Sequence, residues 1–282
     1  MSLIPPIPDD ATHCAGSVAL RYADLTQDGR LVLSTLPEAL GQVVWPAVRE
    51  QVRGHDFVAL GAVPILTRMV LEGGGGPLAV HAPLRTPGAF ALAHVPGPRG
   101  PERILLNMWG ELHGDAGWTW GQPVQPHGVH AGRIFAEHVF TRLFAPPGQR
   151  RVRSLEMPGW PAMPPRPWPS RPVEALGVPV GARALTQIEE RFVFGLTHTD
   201  PNMHVNSLVY PRLFEELALR AGAAFGANEL FARGAEILWQ KPFFAGEECA
   251  IRLTLYEQAG RMGASGSFTE GGRPRCWVNL LF

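Results

Sequence analysis

The sequence predicts an α+β fold in which one unit, a long α-helix followed by an antiparallel β-meander, occurs twice. Two observations support this prediction. The second half of the chain shows a helical pattern followed by four strand patterns, which are separated by Gly-rich turns. The first half shows elements in the same order, and a proline-rich segment lies between the halves.

The second half gives the clearer pattern. A strand is predicted at Glu189–Gly195, and a helix from about Ser207 to Ala224, with Asn206 or Ser207 as its N-cap. Leu213, Leu217, Ala221 and Phe225 are predicted to share one face of this helix. Four further strands are then predicted: Ala235–Phe243, Glu248–Gln258, Arg261–Thr269 and Arg275–Phe282.

The first half can be interpreted in the same order. Strand material is predicted at Val18–Ser34, a helix at Pro37–Val52, and strands at Val63–Leu71, Leu78–Leu84, Ala89–His94 and Arg103–Leu112. The two predicted helices share a local pattern, V-V-W-P-A-V-R-E at Val43 and L-V-Y-P-R-L-F-E at Leu208. We interpret this as an internal duplication; the alternative is that two α+β halves share turn chemistry by chance.

Proline density marks the boundary between the halves. Ten prolines fall between Pro146 and Pro179, and such a segment can hold neither a helix nor a central strand. The predicted organisation is therefore an N-terminal copy at 1–145, a connector at 146–184 and a C-terminal copy at 185–282.

Composition excludes several classes of function. The 25 Lys and Arg residues balance 25 Asp and Glu residues, so no excess charge favours nucleic acid as a partner. The three cysteines show no disulfide or zinc spacing. The N-terminus lacks a signal-peptide pattern and no apolar run is long enough to span a membrane, so we expect a cytoplasmic protein without membrane partners. No cofactor or metal is predicted.

The segment T-H-T-D-P-N-M-H-V-N-S-L-V-Y, Thr197 to Tyr210, concentrates polar residues directly before the second predicted helix. Asp200, Asn202 and His204 alternate with other residues, and in an extended loop this spacing places all three on one side. A helix N-terminus beside them can stabilise a developing oxyanion. The alternative is an ordinary capping loop.

The string D-P-N-M-H-V-N-S-L-V-Y followed by L-F-E-E resembles the signature of hot-dog-fold thioesterases. It is most similar to the acyl-ACP thioesterase and 4-hydroxybenzoyl-CoA thioesterase branches, and its D-x-N-x-H spacing resembles the plant-type acyl-ACP enzymes. The resemblance covers roughly Arg191 to Phe282. It implies a double hot-dog fold, in which two copies of an antiparallel β-sheet are each wrapped around a long central α-helix. It also implies a thioester substrate carried on coenzyme A (CoA) or acyl carrier protein (ACP). A homodimer is a reasonable expectation for the family.

The resemblance also implies roles for individual residues. Asp200 would be the acid/base or nucleophilic carboxylate, with Asn202 and His204 orienting water or the thioester carbonyl. The substrate-binding residues would be the N–H groups of Val205, Asn206 and Ser207, together with Tyr210 and Gln240.

Two departures from the family pattern stand out. Plant-type enzymes carry a further acidic residue or cysteine on the strand after the helix, where this chain has W-Q-K-P-F-F, so Gln240 or Glu236 would have to substitute. In the first half, aligning the two helices places Thr35, Pro37 and Ala39 opposite Asp200, Asn202 and His204. The first copy has then lost the chemical residues, and one active site per chain is predicted.

The sequence therefore predicts hydrolysis of an acyl thioester to a free acid and a thiol. Three alternatives remain open: a dehydratase or hydratase that uses His204 as its base, an acyltransferase, and a non-catalytic module that binds acyl thioesters. Dependence on a β-hydroxyl group would identify the first.

A second polar cluster, Q-P-H-G-V-H-A-G-R, contains His127 and His130, and His138 follows in a predicted helix. No cysteine or acidic residue stands at metal-ligand spacing, so we interpret these histidines as solvated or locally hydrogen-bonded. A contribution to the wall of an acyl pocket is the alternative.

Overall fold

The computed structural model describes residues 2–51, 57, 61–118, 125–155, 163–166, 177–226 and 231–282, with the backbone alone for 125–127. The chain divides into two compact units, residues 1–169 and 170–282. Parts of the predicted connector, 156–162 and 167–176, lie outside the described residues.

Unit 1 contains a five-stranded antiparallel sheet and a helical segment that packs against it. Its strands are β1 (Thr12–Val18), β2 (Val63–Gly73), β3 (Leu84–Gly97), β4 (Gly100–Ala116) and β5 (Gln125–Thr141), arranged in the order β1-β3-β4-β5-β2. The helical segment begins with a π-helical turn, Leu40–Val44, and continues as α1, Trp45–Gln51. It lies close against the sheet, because a Cβ added at Gly88 of β3 would stand 2.6 Å from Val44 Cγ2.

Unit 2 is a second five-stranded antiparallel sheet with a longer helix. Its elements are β6 (Arg183–Val193), α2 (Val209–Ala223), β7 (Gly234–Trp239), β8 (Glu248–Gln258), β9 (Arg261–Glu270) and β10 (Arg273–Leu281). The strand order is β6-β8-β9-β10-β7. In each unit, therefore, the helix follows the first strand, and the second strand pairs with the last.

Helix α2 forms because its apolar residues recur at helical spacing. Tyr210, Phe214, Leu217, Ala218 and Ala221 are buried on one face. Pro211 lies in the first turn, where a missing N–H costs little. The prediction that Phe225 belongs to this face is wrong: it lies beyond the helix end at Ala223 and is half exposed.

Unit 1 departs from the sequence prediction at several elements. Its first strand is Thr12–Val18 and not Val18–Ser34, a region that contains two short 3₁₀ turns. The strand predicted at Leu78–Leu84 is wrong: a single bridge joins Leu78 to Ala116, and only Leu84 lies in a strand, as the first residue of β3. His138, predicted in a helix, lies in β5, because β4 and β2 pair with β5 on both sides and override its weak strand propensity.

No helix in the described part of the chain is long and apolar enough to cross a membrane. The three cysteines are free: Cys249 and Cys276 are buried and Cys14 is partly exposed.

Candidate active site

The loop between β6 and α2 contains a tight turn at Asp200–His204. The Met203 N–H donates to the Asp200 carbonyl over 2.8 Å, and the Asp200 N–H donates to the His204 carbonyl over 3.1 Å. Met203 has a φ of 66°. This is the pattern of a β-turn followed by a left-handed bulge residue, and Asp200 and Pro201 suit its first two positions.

The turn brings the side chains of Asp200 and His204 together. Asp200 Oδ1 accepts a hydrogen bond from the Asn202 N–H over 2.9 Å and lies 3.8 Å from His204 Nδ1. The Asp200 side chain is 18% exposed and that of His204 is 37% exposed. No donor among the described residues bonds to Asp200 Oδ2. One carboxylate oxygen is thus held by the turn, and the other can accept a proton from water. Asn202 contributes its backbone N–H, and its side chain is exposed.

Three N–H groups were predicted to bind the thioester oxygen, and two of them already have backbone acceptors. The Val205 N–H donates to the Phe243 carbonyl over 2.7 Å, and the Asn206 N–H donates to the His198 carbonyl over 2.9 Å. The Ser207 N–H has no acceptor among the residues that the structure describes. The Asn206 Oδ1 accepts the Leu208 N–H over 2.9 Å in the turn before α2. The N-cap of α2 is Leu208, so the prediction of Asn206 or Ser207 as the N-cap is wrong.

Tyr210 is a buried residue that supports the segment next to the Asp200 loop. Its side chain is buried, and its hydroxyl accepts the Phe243 N–H over 3.3 Å. Burial raises the pKa of the Tyr210 phenol above its usual range. The ring packs edge-on against Phe268, with centroids 5.1 Å apart. In this structure Tyr210 is a core residue that joins the start of α2 to the segment after β7, and substrate contact by it stays a prediction.

Arg275, which the sequence reasoning missed, fixes the segment that supports the loop. Its buried guanidinium donates to the Pro242 carbonyl and to Glu247, each over 2.8 Å, and it also pairs with Glu270. It lies over the Phe243 ring at 4.5 Å. An arginine in a strand gives no sequence signal for this role, because its partners lie in two other segments, the connection between β7 and β8 and the end of β9.

The two residues considered as substitutes for the missing family carboxylate lie in different environments. Gln240 is exposed, and its N–H donates to the Arg275 carbonyl over 2.8 Å. Glu236 is buried in β7, opposite Asn279 of β10.

Unit 1 contains the same loop as unit 2, 174 positions earlier in the chain. The Gly29 N–H donates to the Thr26 carbonyl over 2.9 Å, and the Thr26 N–H donates to the Arg30 carbonyl over 2.8 Å, as Met203, Asp200 and His204 do in unit 2. A bridge joins Leu25 to Leu31, as one joins Thr199 to Val205. Both bulge residues are left-handed, with φ of 76° at Gly29 and 66° at Met203.

This repeat corrects the alignment of the two copies. The counterparts of Asp200, Asn202 and His204 are Thr26, Asp28 and Arg30, and not Thr35, Pro37 and Ala39. The sequence alignment matched the two W-P and Y-P dipeptides, which stand 165 positions apart, and it is therefore nine residues out of register with the loops.

Pro77 and Leu78 of the same unit cover the unit 1 loop at Gly29. The Gly29 carbonyl accepts the Leu78 N–H over 2.9 Å, and a Cβ at Gly29 would stand 2.6 Å from Pro77 Cβ. Arg30 bonds to Asp28 through its Nε over 2.6 Å. The carboxylate in this loop is thus engaged by a guanidinium, and threonine stands where unit 2 has its catalytic candidate.

The second histidine cluster does not form a metal site among the described residues, where no group of three His, Cys, Asp or Glu side chains could hold an ion. The side chain of His127 lies outside the described part. His130 of β5 stacks edge-on with His113 of β4, at 5.4 Å between centroids. Burial and the neighbouring His113 lower the pKa of His130.

Comparison with solved structures identifies the architecture. A proposed oleoyl thioesterase from Lactobacillus plantarum superposes with a TM-score of 0.65 at 14% identity, over 97% of this chain and 95% of that one. An acyl-ACP thioesterase from Bacteroides thetaiotaomicron gives 0.56 at 12% identity, over 97% and 98%. A 12:0-ACP thioesterase from Umbellularia californica gives 0.54 at 10% identity, over 98% of each chain. This chain has the hot-dog fold.

The similarity extends over both units of the hot-dog protein, since each comparison covers nearly all of both chains. No protein-family model and no curated protein sequence matches the chain. The predicted α+β class is confirmed only in part, because strands dominate. In the described residues α2 alone is an α-helix longer than seven residues, whereas the sequence predicts a long helix in each copy.

Proposed function

We propose that the protein hydrolyses an acyl thioester, carried on coenzyme A or acyl carrier protein, to a free acid and a thiol. The observation that supports this most directly is the pairing of Asp200 with His204, whose side chains lie 3.8 Å apart and are partly exposed, just before helix α2. Three solved structures with this fold are described as oleoyl or acyl-ACP thioesterases, which favours a thioester as the substrate.

In the proposed reaction Asp200 acts as the general base. Its Oδ2 accepts a proton from water while the water oxygen bonds to the thioester carbon and the carbonyl electrons move onto oxygen. The Ser207 N–H and the start of α2 supply positive potential for this oxyanion. When the carbonyl re-forms, the C–S bond breaks and the thiolate leaves, to be protonated by Asp200 or by solvent.

His204 positions Asp200 in this proposal. Its Nδ1 faces both Asp200 Oδ1, at 3.8 Å, and its neighbour's carbonyl, the Val205 oxygen, at 3.4 Å. With its one proton on Nδ1, the neutral imidazole would have Nε2 free to accept a hydrogen bond from the attacking water.

The test is thiol release from a panel of acyl-CoA and acyl-ACP substrates, with the acid product identified by mass. Asp200→Asn is expected to lower kcat at least about a hundredfold, because it removes the base and keeps the shape. His204→Ala should lower it less, by about tenfold. Asp28→Asn is the matched control: it removes a carboxylate from the equivalent loop of unit 1 and should leave kcat unchanged.

Each alternative function predicts a different product. An enoyl thioester without thiol release indicates a dehydratase, and thiol release with an ester or amide product indicates an acyltransferase. Binding of acyl thioesters without any turnover, unaltered by Asp200→Asn, would contradict hydrolysis and favour a binding module.

A further inference from the structure

Met203 occupies the turn position at which the equivalent turn of unit 1 has a glycine. The turn at Thr26–Arg30 has the same hydrogen bonds and the same left-handed bulge residue as the turn at Asp200–His204, and that residue is Gly29. Glycine adopts a positive φ without steric cost, whereas methionine brings its Cβ close to the backbone carbonyl. The shape of the turn therefore does not require a side chain at position 203.

The Met203 side chain also gains little from packing, since the residue is 79% exposed. In unit 1 the bulge lies under Pro77 and Leu78, so glycine is needed there for space. At position 203 the conformation is strained and the side chain is largely in water. Neither cost serves the folded loop, which points to a contact made when something binds.

Two other exposed apolar side chains border the same turn. Leu196 is 81% exposed and lies in a 3₁₀ turn, where its carbonyl accepts the Thr199 N–H over 3.1 Å. Phe244, 44% exposed, follows Phe243, whose carbonyl accepts the Val205 N–H. Backbone hydrogen bonds thus attach three exposed apolar residues to segments that flank Asp200. We name Leu196, Met203 and Phe244 the apolar rim.

We propose that the apolar rim binds the pantetheine arm on the thiol side of the substrate. This inference rests on the proposed function. The sulfur of a thioester is one bond from the carbonyl carbon, so a carbonyl held at Asp200 places the start of the arm beside a residue only three positions away. A hydrophilic carrier must stay in solvent, and the rim is the solvent-exposed border of the site.

The chemistry of the arm suits these side chains. Pantetheine alternates two amides with methylene groups and ends in a branched dimethyl carbon, so it offers apolar surface along a flexible chain. Methionine adapts to such surfaces because it is unbranched and polarisable. CoA and carrier proteins share this arm, so the rim would serve either.

The experiment measures binding of S-octyl-pantetheine, a thioether that cannot be hydrolysed, by calorimetry. Met203→Gly is expected to fold as the wild type does, since Gly29 supports the same turn, and to raise Kd about tenfold, the effect of losing one buried apolar contact. Leu196→Ala should weaken binding in the same direction, and Met203→Leu should restore it. The control is Val180→Ala: Val180 is fully exposed and precedes the opposite end of β6.

The same Kd in the wild type and in Met203→Gly, with an unchanged circular dichroism spectrum, would overturn the proposal, as would no binding to the wild type. Binding is read without turnover, so an inactive wild type that binds the thioether in a Met203-dependent way contradicts the proposed hydrolysis and supports the rim. Repeating the titration with S-octyl-CoA and with a carrier protein bearing the S-octyl arm distinguishes the two sources, because the tighter binder is the carrier that the rim serves.

Discussion

The imidazole of His138 is enclosed within unit 1. It lies in β5, edge-on to Trp45 at 5.3 Å between centroids, and its buried Nδ1 has no hydrogen-bond partner among the described residues. Burial lowers the pKa of His138 to about 4. The His138 ring is therefore neutral in the folded protein, and its protonation opposes folding.

This burial predicts an acid-dependent loss of stability. The unfolded chain takes up a proton near pH 6.5 and the folded chain only near pH 4, so the contribution of neutral His138 is complete above pH 6.5 and is lost as the pH falls between these values. His138→Gln cannot titrate, so its free energy of unfolding should fall less over this interval, by up to about 3 kcal/mol. Urea titrations at pH 7 and pH 4.5 measure the difference.

The neighbouring Glu137 provides the control. Burial raises the pKa of its carboxyl, so the stability linked to its protonated form is present below the pKa of an unfolded glutamate and is lost as the pH rises. Glu137→Gln should therefore change the pH dependence in the direction opposite to His138→Gln. The same slope in the wild type and in His138→Gln would contradict the assignment.

At the scale of elements, the segment after β7 depends on one side chain. Arg275 bonds to Pro242, Glu247 and Glu270 and covers Phe243, and the Phe243 carbonyl accepts the Val205 N–H from the end of the loop that contains Asp200. Arg275→Leu should lower the free energy of unfolding by about 2 kcal/mol, because charge-assisted hydrogen bonds are lost and a carbonyl is left without its donor. Urea denaturation checks the stability.

The same variant should also lower kcat, since the loop loses its support, while Arg252→Leu serves as the comparison. Arg252 pairs with Glu189 over 2.8 Å on the exposed surface, where an ion pair contributes little. Equal stability of the two variants would show that the Arg275 cluster does not hold the segment.

The sequence predicted the starts of the strands after α2 well because each turn between them carries glycine, whereas β6 begins at Arg183, six residues before its predicted start at Glu189. Glu248–Gln258 matches β8 at both ends, and the other three strands after α2 begin within two residues of their predicted starts. Unit 1 was harder. Gly128 and Gly132 weaken the strand pattern of β5, and only pairing with strands distant in sequence makes this segment extended.

The site shows the same division. The D-x-N-x-H spacing located Asp200 and His204 because a single local turn positions both. The acceptors of the Val205 and Asn206 N–H groups, the carbonyls of Phe243 and His198, could not be foreseen, since the first depends on how a segment 38 positions further along the chain folds back.

At the scale of the whole molecule, the proposed single active site per chain predicts one bound substrate per chain. Thr26 stands at the position of Asp200, and the unit 1 loop is closed by Pro77 and Leu78. Titration with S-octyl-CoA should therefore saturate at one molecule per chain, and Asp28→Asn should leave that number unchanged. A stoichiometry of two would show that unit 1 keeps a working site.

The repeated turn has a further consequence for how this protein can change over time. In an assembly of two identical chains, every substitution occurs in both copies, so a residue needed for chemistry in one copy cannot be lost from the other. Here both turns are encoded in one polypeptide, and each can mutate alone. Gly29 and Met203 already differ in this way. The turn that contains Gly29 can change to suit the packing of unit 1, and the turn that contains Met203 can change to suit a substrate.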